Sequence, residues 1–375
     1  MSNSDHQSTV CFVYSFLESP RGGIGQYELQ LSKRLKDCIP LNLCFLRPVN
    51  LAPHIPKVFG IDLQSYLQNN PIWFDMPASR NVIIHLSHQF MGIAIPLMKI
   101  RALASRSRSK IIITVHDLYD LETHWNPLLN HLKPNWRWSD KLSSFFMIKS
   151  IGLADRIIVD SQTTKETLLT ILPHVQNKIS VIYLGWNGPL KNIGSIKRKS
   201  NQVLYVGSLH PRKNILTLIK AITILRKQGR DVTLTIAGAS RTTNIPDEIR
   251  NVDGVEFTGE LHLEDIGKLY ATSSIFAFPS LSEGFGLPLL EAMGYGCPVV
   301  ASDIPIFREL AGDAAMFVSL PQDEVQWANM IGGLLSNEQE RNILSQKGNE
   351  RSALFTWEKT FAATLAIYRL MDQNN

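Results

Sequence analysis

The stretch Ile275–Met293 constrains the fold of this chain more than any other. It opens with an apolar run, Ile275–Phe278, whose length and composition are typical of a buried strand. The loop that follows contains Gly284 and Gly286. Pro288 comes next, and the first turn of a helix tolerates its missing N–H. A strand, a glycine loop and a helix start present backbone amides and the positive end of a helix dipole to a ligand. The stretch therefore predicts a binding site for an anion such as a phosphate.

Two carboxylates flank the glycine loop, with Glu283 before it and Glu291 in the predicted helix. Carboxylates accept hydrogen bonds from sugar hydroxyls, so the loop and its flanks together describe a site for a nucleotide-sugar. The alternative interpretation is an ordinary core strand followed by an ordinary helix.

The same residues closely resemble the C-terminal signature of retaining glycosyltransferases of family 4, which have the GT-B fold. That signature is two glutamates separated by seven residues around Gly-Phe-Gly-Leu-Pro, and the glutamates here are Glu283 and Glu291. The next segment, Gly296–Ser302, also matches the family. The resemblance implies an α/β protein with two Rossmann-like, doubly wound parallel-sheet domains that face a cleft.

Length and element order also predict two α/β domains. At 375 residues the chain is too long for one ordinary core. Apolar strands alternate with helical segments in both halves, which predicts a parallel sheet in each. Together with the resemblance, this gives an acceptor-side domain at residues 1–190 and a nucleotide-sugar domain at residues 191–355. A last helix, at residues 356–375, is expected to return to the first domain.

The composition is that of an ordinary globular protein, with 44% hydrophobic and 19% charged residues. No run approaches the ~20 apolar residues of a membrane helix, and the polar start lacks the features of a signal peptide. The cysteines have no metal-binding spacing, and free thiols, three of them buried, are expected in a reducing cytoplasm. They are Cys11, Cys38, Cys44 and Cys297. The expected location is the cytoplasm, either free or peripheral on the inner face of the membrane.

The net charge of +5 is unevenly distributed. Basic clusters lie at residues 99–110 and 191–199, and each is either a solvated segment or a contact with an anionic membrane surface or a phosphate-bearing acceptor. The aromatic stretch 119–138 is either a packed loop, an acceptor-binding lid or an interfacial membrane contact. No nucleic-acid motif accompanies these segments, so nucleic acid is set aside as a partner.

The first half contributes a glycine-rich turn. Thr9–Tyr14 is a predicted strand that runs into this turn, and the helix after it is predicted to begin at Gln26. The resemblance implies that Gly22 and Gly23 face the donor diphosphate and the acceptor. A plain tight turn is the alternative.

A histidine follows the predicted strand that begins at Lys110 in the first half. The strand ends in His116 and Asp117, and ligands of open parallel sheets bind outside the carboxyl ends of the strands. The resemblance implies that His116 lies near the donor sugar, which makes it a catalytic candidate. A structural histidine is the alternative.

In the second half, Arg212 and Lys213 follow a predicted strand and precede a predicted helix. Fixed cations at such a point neutralise a leaving diphosphate, and each charge-assisted hydrogen bond contributes roughly 1.5–3 kcal/mol. Ser208 stands where many family members have arginine, so the division of labour between Arg212 and Lys213 is left open. Two solvated basic residues at a helix start are the alternative.

The resemblance assigns the remaining roles. Glu291 is implied to hold the ribose hydroxyls of the donor, and Glu283 to meet hydroxyls of the donor sugar at the reacting centre. The other implied donor-binding groups are the amides of Phe285, Gly286 and Leu287 near the phosphates or the sugar, and Glu260 and Leu261 near the base.

No Asp-x-Asp pair, which commonly holds a metal-bound diphosphate, occurs in the chain. We therefore expect a metal-independent, retaining transferase without a cofactor, in which the leaving phosphate assists removal of the acceptor proton. The segment Gly207–Asn214 looks most like bacterial mannosyltransferases of polysaccharide or lipopolysaccharide synthesis. GDP-mannose is thus the first donor expected, with a UDP-sugar next, and the acceptor is a glycan or a polyprenyl-linked sugar. The alternative function is a non-catalytic nucleotide-sugar-binding regulator on the same fold.

Overall fold

The computed structural model describes residues 9–14, 22–45, 82–89, 95–96, 98–99, 109–122, 129, 145, 147–189, 198–238, 249 and 251–373, without the side chains of residues 44, 45, 120 and 121. The chain divides into two compact units. The N-terminal unit reaches Gly185 and is completed by the segment that begins at Trp357. The C-terminal unit spans Trp186–Thr356 and also includes Leu129.

Twelve strands are described, six in each unit. Those of the N-terminal unit are β1 (Thr9–Tyr14), β2 (Leu41–Phe45), β3 (Val82–Leu86), β4 (Lys110–Val115), β5 (Arg156–Val159) and β6 (Ile179–Val181). Those of the C-terminal unit are β7 (Gln202–Val206), β8 (Thr233–Ala237), β9 (Val255–Gly259), β10 (Ile275–Phe278), β11 (Val299–Ser302) and β12 (Ala315–Val318).

The helices that alternate with these strands carry the labels α1 to α10 in chain order. They are α1 (Gly22–Leu35), α2 (Tyr119–Glu122), α3 (Gln162–Ile171), α4 (Ile215–Lys227), α5 (Leu263–Thr272), α6 (Leu287–Gly294), α7 (Pro305–Ala311), α8 (Glu324–Ser336), α9 (Glu338–Ser352) and α10 (Trp357–Gln373). Short 3-10 helices lie at Pro173–Lys178 and Pro211–Lys213.

The sheet of the N-terminal unit has the strand order β2-β1-β3-β4-β5-β6, and the strand pairs are parallel. Every residue of β4 after Lys110 is buried. Near-continuous apolar strands of this kind are typical of a parallel sheet, because helices cover both of its faces. Helix α10 packs against α1 and β3, and the Thr360 hydroxyl donates to the Tyr183 carbonyl over 2.8 Å.

The sheet of the C-terminal unit has the strand order β12-β11-β10-β7-β8-β9, again with parallel pairs. Strand β10 lies between β7 and β11, and all four of its residues are buried. Helix α4 packs against α8, and α6 packs against α9. This order brings the carboxyl ends of β7 and β10, where the candidate site residues follow, to neighbouring positions of one edge.

Two element boundaries differ from the sequence predictions by four residues. Helix α1 begins at Gly22, four residues before the predicted Gln26, so Gly22 and Gly23 lie in its first turn and not in a preceding loop. Glycine disfavours helix by about 1 kcal/mol, but the buried Gly25 and Tyr27 fix this turn by packing. The run Val181–Gly185 also predicts a strand, but β6 begins at Ile179 and ends at Val181, where its pairing with β5 ends.

Several sequence predictions lie largely outside the described residues. Of the first basic cluster, Arg101, Arg106 and Arg108 lie outside, whereas Lys99 forms an ion pair with Asp155 at 2.6 Å. Nearly all of the aromatic stretch after Glu122 also lies outside. Cys11 and Cys297 are free and buried, Cys38 is free and exposed, and the Cys44 side chain is not described.

Among the described residues, no helix combines the length and the apolar character needed to cross a membrane.

Candidate functional site

The carboxyl edge of the C-terminal sheet is lined by glycines. Gly207, Gly238 and Gly259 follow or end the neighbouring strands β7, β8 and β9. The Gly207 N–H donates to the Ala237 carbonyl over 2.9 Å, and the Gly238 N–H donates to the Gly259 carbonyl over 3.0 Å. Gly238 has a φ of +88°, and a Cβ there would lie 3.4 Å from the Gly207 backbone. The edge therefore exposes backbone, with no side chains from these three positions to keep a ligand away.

The start of α6 lies on the same edge, after β10. Gly286 is its N-cap with a φ of +103°, and a Cβ at this position would come within 3.2 Å of the Phe307 ring. No side chain of the cap residue bonds the first amides of α6. Pro288 has no N–H, and the Leu289 N–H donates to the Gly286 carbonyl over 3.0 Å. What this end offers an anion is therefore the Leu287 amide and the positive end of the helix dipole.

Arg212 and Lys213, hereafter the cation pair, lie in the 3-10 helix Pro211–Lys213 that follows β7. The His210 ring accepts a hydrogen bond from the Arg212 N–H over 3.3 Å. Asn214 then adopts a left-handed conformation with a φ of +53° and caps α4. A tight turn at the end of the strand thus directs two adjacent basic residues to the sheet edge.

Glu283 forms ion pairs with both residues of the cation pair, although 70 residues separate it from Lys213 in the sequence. Its Oε2 accepts from Arg212 Nη1 at 3.3 Å, and its Oε1 accepts from Lys213 Nζ and, at 2.7 Å, from the Ser280 hydroxyl. The Glu283 side chain is 6% exposed, against 20% for Arg212 and 13% for Lys213. Burial by itself raises the pKa of Glu283, but the charges of Lys213 and Arg212 outweigh it and hold this pKa below its ordinary value. The cluster keeps one net positive charge.

Two hydrogen bonds, one between backbone groups and one from the Arg212 side chain to the backbone, fasten the loop that carries Glu283 to the cation pair. The Leu281 N–H donates to the Arg212 carbonyl over 2.8 Å. Arg212 Nη1 donates to the Ser282 carbonyl over 3.0 Å. The turn after β7 and the loop after β10 therefore hold each other in place, and α6 begins four residues after Glu283.

Glu291 lies in the second turn of α6 and does not join this cluster. Its Oε2 accepts a hydrogen bond from the Tyr270 hydroxyl over 3.0 Å. Burial raises the pKa of Glu291, and the Tyr270 hydrogen bond acts in the opposite direction. The sequence did not identify Tyr270 as a site residue, because no local motif marks it within α5.

The remaining predicted donor-binding residues differ in exposure. The side chains of Phe285 and Leu287 are buried, and the Phe285 ring packs edge-on against Phe355 at 6.2 Å. Any contact they make with a donor is therefore through the backbone. Glu260 is exposed and Leu261 is half-buried in the turn between β9 and α5.

His116 lies at the carboxyl end of β4 in the N-terminal unit and is 5% exposed. Its Nε2 lies 3.0 Å from the Ser87 carbonyl, and its Nδ1 lies 3.1 Å from Asp160 Oδ2. Because a carbonyl can only accept, Nε2 carries a proton. Its Nδ1 contacts the Asp160 carboxyl group, so both ring nitrogens are engaged inside this unit.

A buried hydrogen-bonded network lies beside His116, whose ring meets Tyr27 edge-on at 5.0 Å. Thr114 Oγ1 lies 3.0 Å from the Tyr27 hydroxyl and 2.8 Å from His85 Nε2, and His85 Nδ1 lies 2.5 Å from the Tyr368 hydroxyl of α10. Burial lowers the pKa of His85 to about 3, so this imidazole is neutral at neutral pH. None of these pairings could be read from the sequence, because the partners lie on different elements.

A second hydrogen bond with a residue of α1 involves Ser87. The Ser87 hydroxyl donates to Glu28 Oε1 over 2.6 Å, and Glu28 is fully buried. In contrast to Glu28, both Gly22 and Gly23 are exposed, in the first turn of the same helix.

Two family profiles match consecutive parts of the chain. The family described as Glycosyltransferase Family 4 matches residues 40–187. The family described as Glycosyl transferases group 1 matches residues 189–351. The second match contains the cation pair, Glu283 and Glu291.

Curated relatives cover parts of the chain. The O-antigen chain mannosyltransferase RfbU of Salmonella typhimurium is 28% identical over 244 residues, which are 62% of this chain and 67% of that protein. The O-antigen chain mannosyltransferase B of Escherichia coli is 32% identical over 174 residues, and the match covers 45% of each chain. The chain thus spans less than half of the second relative.

Solved structures are similar over nearly the whole chain. Sucrose-phosphate synthase of Thermosynechococcus elongatus has a TM-score of 0.74 at 20% identity, covering 98% of this chain and 100% of that one. HepE of Anabaena, solved in complex with UDP and glucose, has a TM-score of 0.68 at 18% identity, covering 96% and 100%. At these identities the similarity concerns the fold. The two family matches and the paired six-stranded parallel sheets lead to one conclusion: the chain belongs to the family 4, group 1 glycosyltransferases, which are transferase enzymes of the GT-B fold.

Proposed function

We propose that this glycosyltransferase is a retaining, metal-independent hexosyltransferase that moves mannose from GDP-mannose to a glycan or polyprenyl-linked acceptor in polysaccharide or lipopolysaccharide synthesis. The observation that carries the proposal is the cation pair held by Glu283 beside the start of α6. A diphosphate is the ligand that this combination of two fixed cations and a helix end suits best.

The cation pair stabilises the leaving diphosphate. Charge accumulates on the leaving oxygen as its bond to the anomeric carbon of the sugar breaks, and fixed cations stabilise that charge without reorganising. Glu283 keeps Arg212 and Lys213 oriented before the donor binds, since it contacts both. The positive charge that remains on the cluster, together with roughly half a charge from the α6 dipole, attracts the diphosphate.

Retention of configuration follows if the acceptor attacks from the face that the diphosphate leaves. The leaving phosphate oxygen then takes the proton of the acceptor hydroxyl, while the acceptor oxygen bonds to the anomeric carbon. Glu291 accepts hydrogen bonds from the ribose hydroxyls, Glu283 meets the donor sugar, and His116 acts near that sugar in the same proposal.

The choice of mannose rests on the relatives. The two named above are O-antigen chain mannosyltransferases, and serotype-specific mannosyltransferase WbdA of Escherichia coli is 29% identical over 282 residues. HepE, solved in complex with UDP-glucose, supports a UDP-sugar as the second candidate donor. A lipid-linked acceptor would bring the protein to the membrane surface.

A panel of labelled nucleotide-sugars tests the proposal. We expect GDP-mannose to raise the thermal midpoint more than GDP-glucose, UDP-glucose or UDP-N-acetylglucosamine, and to release GDP when a glycan or polyprenyl-linked acceptor is added. A larger shift of the thermal midpoint with a UDP-sugar, together with turnover of it, would show that the donor is that UDP-sugar and not GDP-mannose. Binding without release of either nucleotide or sugar, across the acceptors tested, would favour the regulatory function instead.

A further inference from the structure

We propose that Tyr270 is a positioning residue for nucleotide binding, whose hydroxyl orients the Glu291 carboxylate toward the two ribose hydroxyls, and that Arg198 holds Tyr270 in place. The inference rests on the proposed function, in which Glu291 is the ribose-binding group.

The hydrogen bond between Tyr270 and Glu291 has one direction. An ionised carboxylate can only accept, so the Tyr270 hydroxyl donates to Glu291 Oε2 over 3.0 Å. Within the described part of the chain, no other group donates to the Glu291 carboxylate. A carboxylate has about four acceptor positions, and one bond from Tyr270 leaves enough for both hydroxyls of a vicinal diol. The bond therefore fixes the orientation of the carboxylate without using up its capacity.

The Tyr270 ring is held rigidly. The side chain is 1% exposed. Its ring stacks on Tyr295 with a centroid distance of 5.7 Å and an interplanar angle of 17°, and it meets Phe276 edge-on at 5.5 Å. A packed tyrosine has little rotational freedom to lose, so its hydroxyl occupies one place relative to α6.

Arg198 joins the ends of the two helices that carry this pair. Its Nη1 donates to the Tyr270 carbonyl over 2.9 Å and to the Ser273 carbonyl over 2.8 Å, and its Nη2 donates to the Tyr295 carbonyl over 2.6 Å. These carbonyls lie at the C-terminal ends of α5 and α6, where a cation is favoured by the helix dipole. Arg198 belongs to the second basic cluster, and its guanidinium is thus engaged within the unit.

Trp186 fixes α6 one turn beyond Glu291. A Cβ on Gly294 would lie 2.0 Å from the Trp186 ring, so the indole packs directly on the helix backbone. The indole N–H donates to the Ser352 carbonyl over 3.1 Å. With both Arg198 and Trp186 at the end of α6, the distance from Tyr270 to Glu291 is set by contacts that do not involve the ligand.

The pKa of Glu291 provides a measurement that distinguishes a positioning role of Tyr270 from a packing role. Burial raises the pKa of Glu291, and the Tyr270 hydrogen bond lowers it. Removing the hydroxyl leaves burial unopposed, so the pKa of Glu291 rises further. The ribose hydroxyls donate to the ionised carboxylate. Nucleotide affinity therefore falls as the pH drops through this pKa, and the fall begins at a higher pH without Tyr270.

Calorimetric titration of GDP and UDP into wild type and Tyr270→Phe across pH 5 to 8 tests the proposal. We expect Tyr270→Phe to weaken nucleotide binding about fivefold to tenfold at neutral pH and to shift the acid limb of the affinity profile to higher pH. The 2′,3′-dideoxy nucleotides, which lack both ribose hydroxyls, should bind the variant and wild type equally.

Tyr368→Phe is the matched control, because it also removes a buried hydroxyl with a hydrogen-bond partner, in the N-terminal unit. We expect it to lower the thermal midpoint about as much as Tyr270→Phe and to leave nucleotide affinity unchanged.

Two results separate the inference from the proposed function. Loss of affinity in Glu291→Gln without loss in Tyr270→Phe would overturn the role of Tyr270 alone. Unchanged ribonucleotide affinity in Glu291→Gln would overturn the ribose assignment on which it rests. Equal weakening of dideoxy and ordinary nucleotides by Tyr270→Phe, with an unmoved acid limb, would make Tyr270 a packing residue and would also overturn the inference.

Discussion

Both sheets have six described strands in parallel, but their carboxyl edges differ in chemistry. In the N-terminal unit, the residues after β3, β4 and β5 are buried polar groups bonded to one another, with His116 and Asp160 at 5% and 1% exposure. In the C-terminal unit, the corresponding edge carries glycines, a cation pair and the uncapped start of α6.

The two edges also differ in the charge of their buried groups. Burial lowers the pKa of His85 to about 3 and raises the pKa of Asp160, so both shifts in the N-terminal network favour neutral forms. In the C-terminal unit the cation pair keeps Glu283 ionised, and the cluster stays positively charged. One edge is therefore a rigid hydrogen-bonded scaffold, and the other is built to hold an anion.

The largest effect is expected from removing the cations, which tests whether the C-terminal edge binds the diphosphate. Lys213→Ala and Arg212→Ala should each lower nucleotide-sugar affinity or kcat/KM by about tenfold or more, and together by roughly a hundredfold, because each removes a charge-assisted contact with the diphosphate. Isothermal titration and steady-state kinetics measure both quantities. Lys268→Ala is the control, since Lys268 is an exposed lysine of the same unit in an ion pair with Asp265. Unchanged kinetics in both single variants would rule out the diphosphate assignment.

The paired glutamates sharpen the comparison within the charged edge. Glu291→Gln should weaken free nucleotide and full donor alike, about tenfold, because both contain ribose. Glu283→Gln keeps an amide oxygen that can accept from the cation pair, so it should largely spare the nucleotide. It should reduce mainly donor affinity and kcat, since an interaction with the reacting sugar appears in turnover. Calorimetry with GDP and GDP-mannose beside steady-state rates separates the two. If Glu283→Gln loses nucleotide affinity while Glu291→Gln keeps it, the two roles are reversed.

The scaffold edge should respond in stability and not in nucleotide binding. Asp160→Asn changes the partner of His116 Nδ1 inside a buried network, and we expect a loss of about 1–3 kcal/mol in the free energy of unfolding. Urea denaturation measures this loss. Glu358→Gln, at a side chain that is 73% exposed in the same unit, should leave stability unchanged. A tenfold loss of GDP affinity in Asp160→Asn would contradict the division between the two edges.

The sequence predicts the strands better than the polar helices. The apolar run Ile275–Phe278 predicts a strand, and the amphipathic segment Ile215–Lys227 predicts a helix. They form β10 and α4 with these bounds, because apolar runs and amphipathic periodicity report burial directly. Helix α9 was missed, since of its 15 residues only Leu344, Gly348 and Ser352 are buried. Its start depends on the Asn337 side chain, which accepts from the Glu340 N–H over 3.0 Å, and on packing against α6, which no local pattern reveals.

The same limit applies to the site. Local motifs identify Arg212, Lys213 and Glu283, because each follows a strand beside glycine or a helix start. Their mutual contact could not be predicted, since 70 residues separate Lys213 from Glu283. Tyr270 and Asp160 lie in ordinary predicted elements, and only tertiary packing brings them to Glu291 and His116.

The smallest expected effect concerns metal, and it tests whether the cation pair is sufficient for the diphosphate. Two side-chain cations, at Arg212 and Lys213, and the start of α6 already supply positive charge at the charged edge. The chain also contains no Asp-x-Asp pair to anchor a metal-bound diphosphate. We therefore expect kcat and KM to stay unchanged in excess EDTA, and addition of magnesium or manganese to the chelated enzyme to have no effect.

The Lys213→Ala variant makes this assay sharper, because a divalent ion could then replace the missing charge. Partial rescue of Lys213→Ala by magnesium, with wild type indifferent, would support the cation pair as the substitute for a metal. Complete loss of wild-type activity in EDTA, restored by magnesium or manganese, would show that the cations alone do not carry the leaving group.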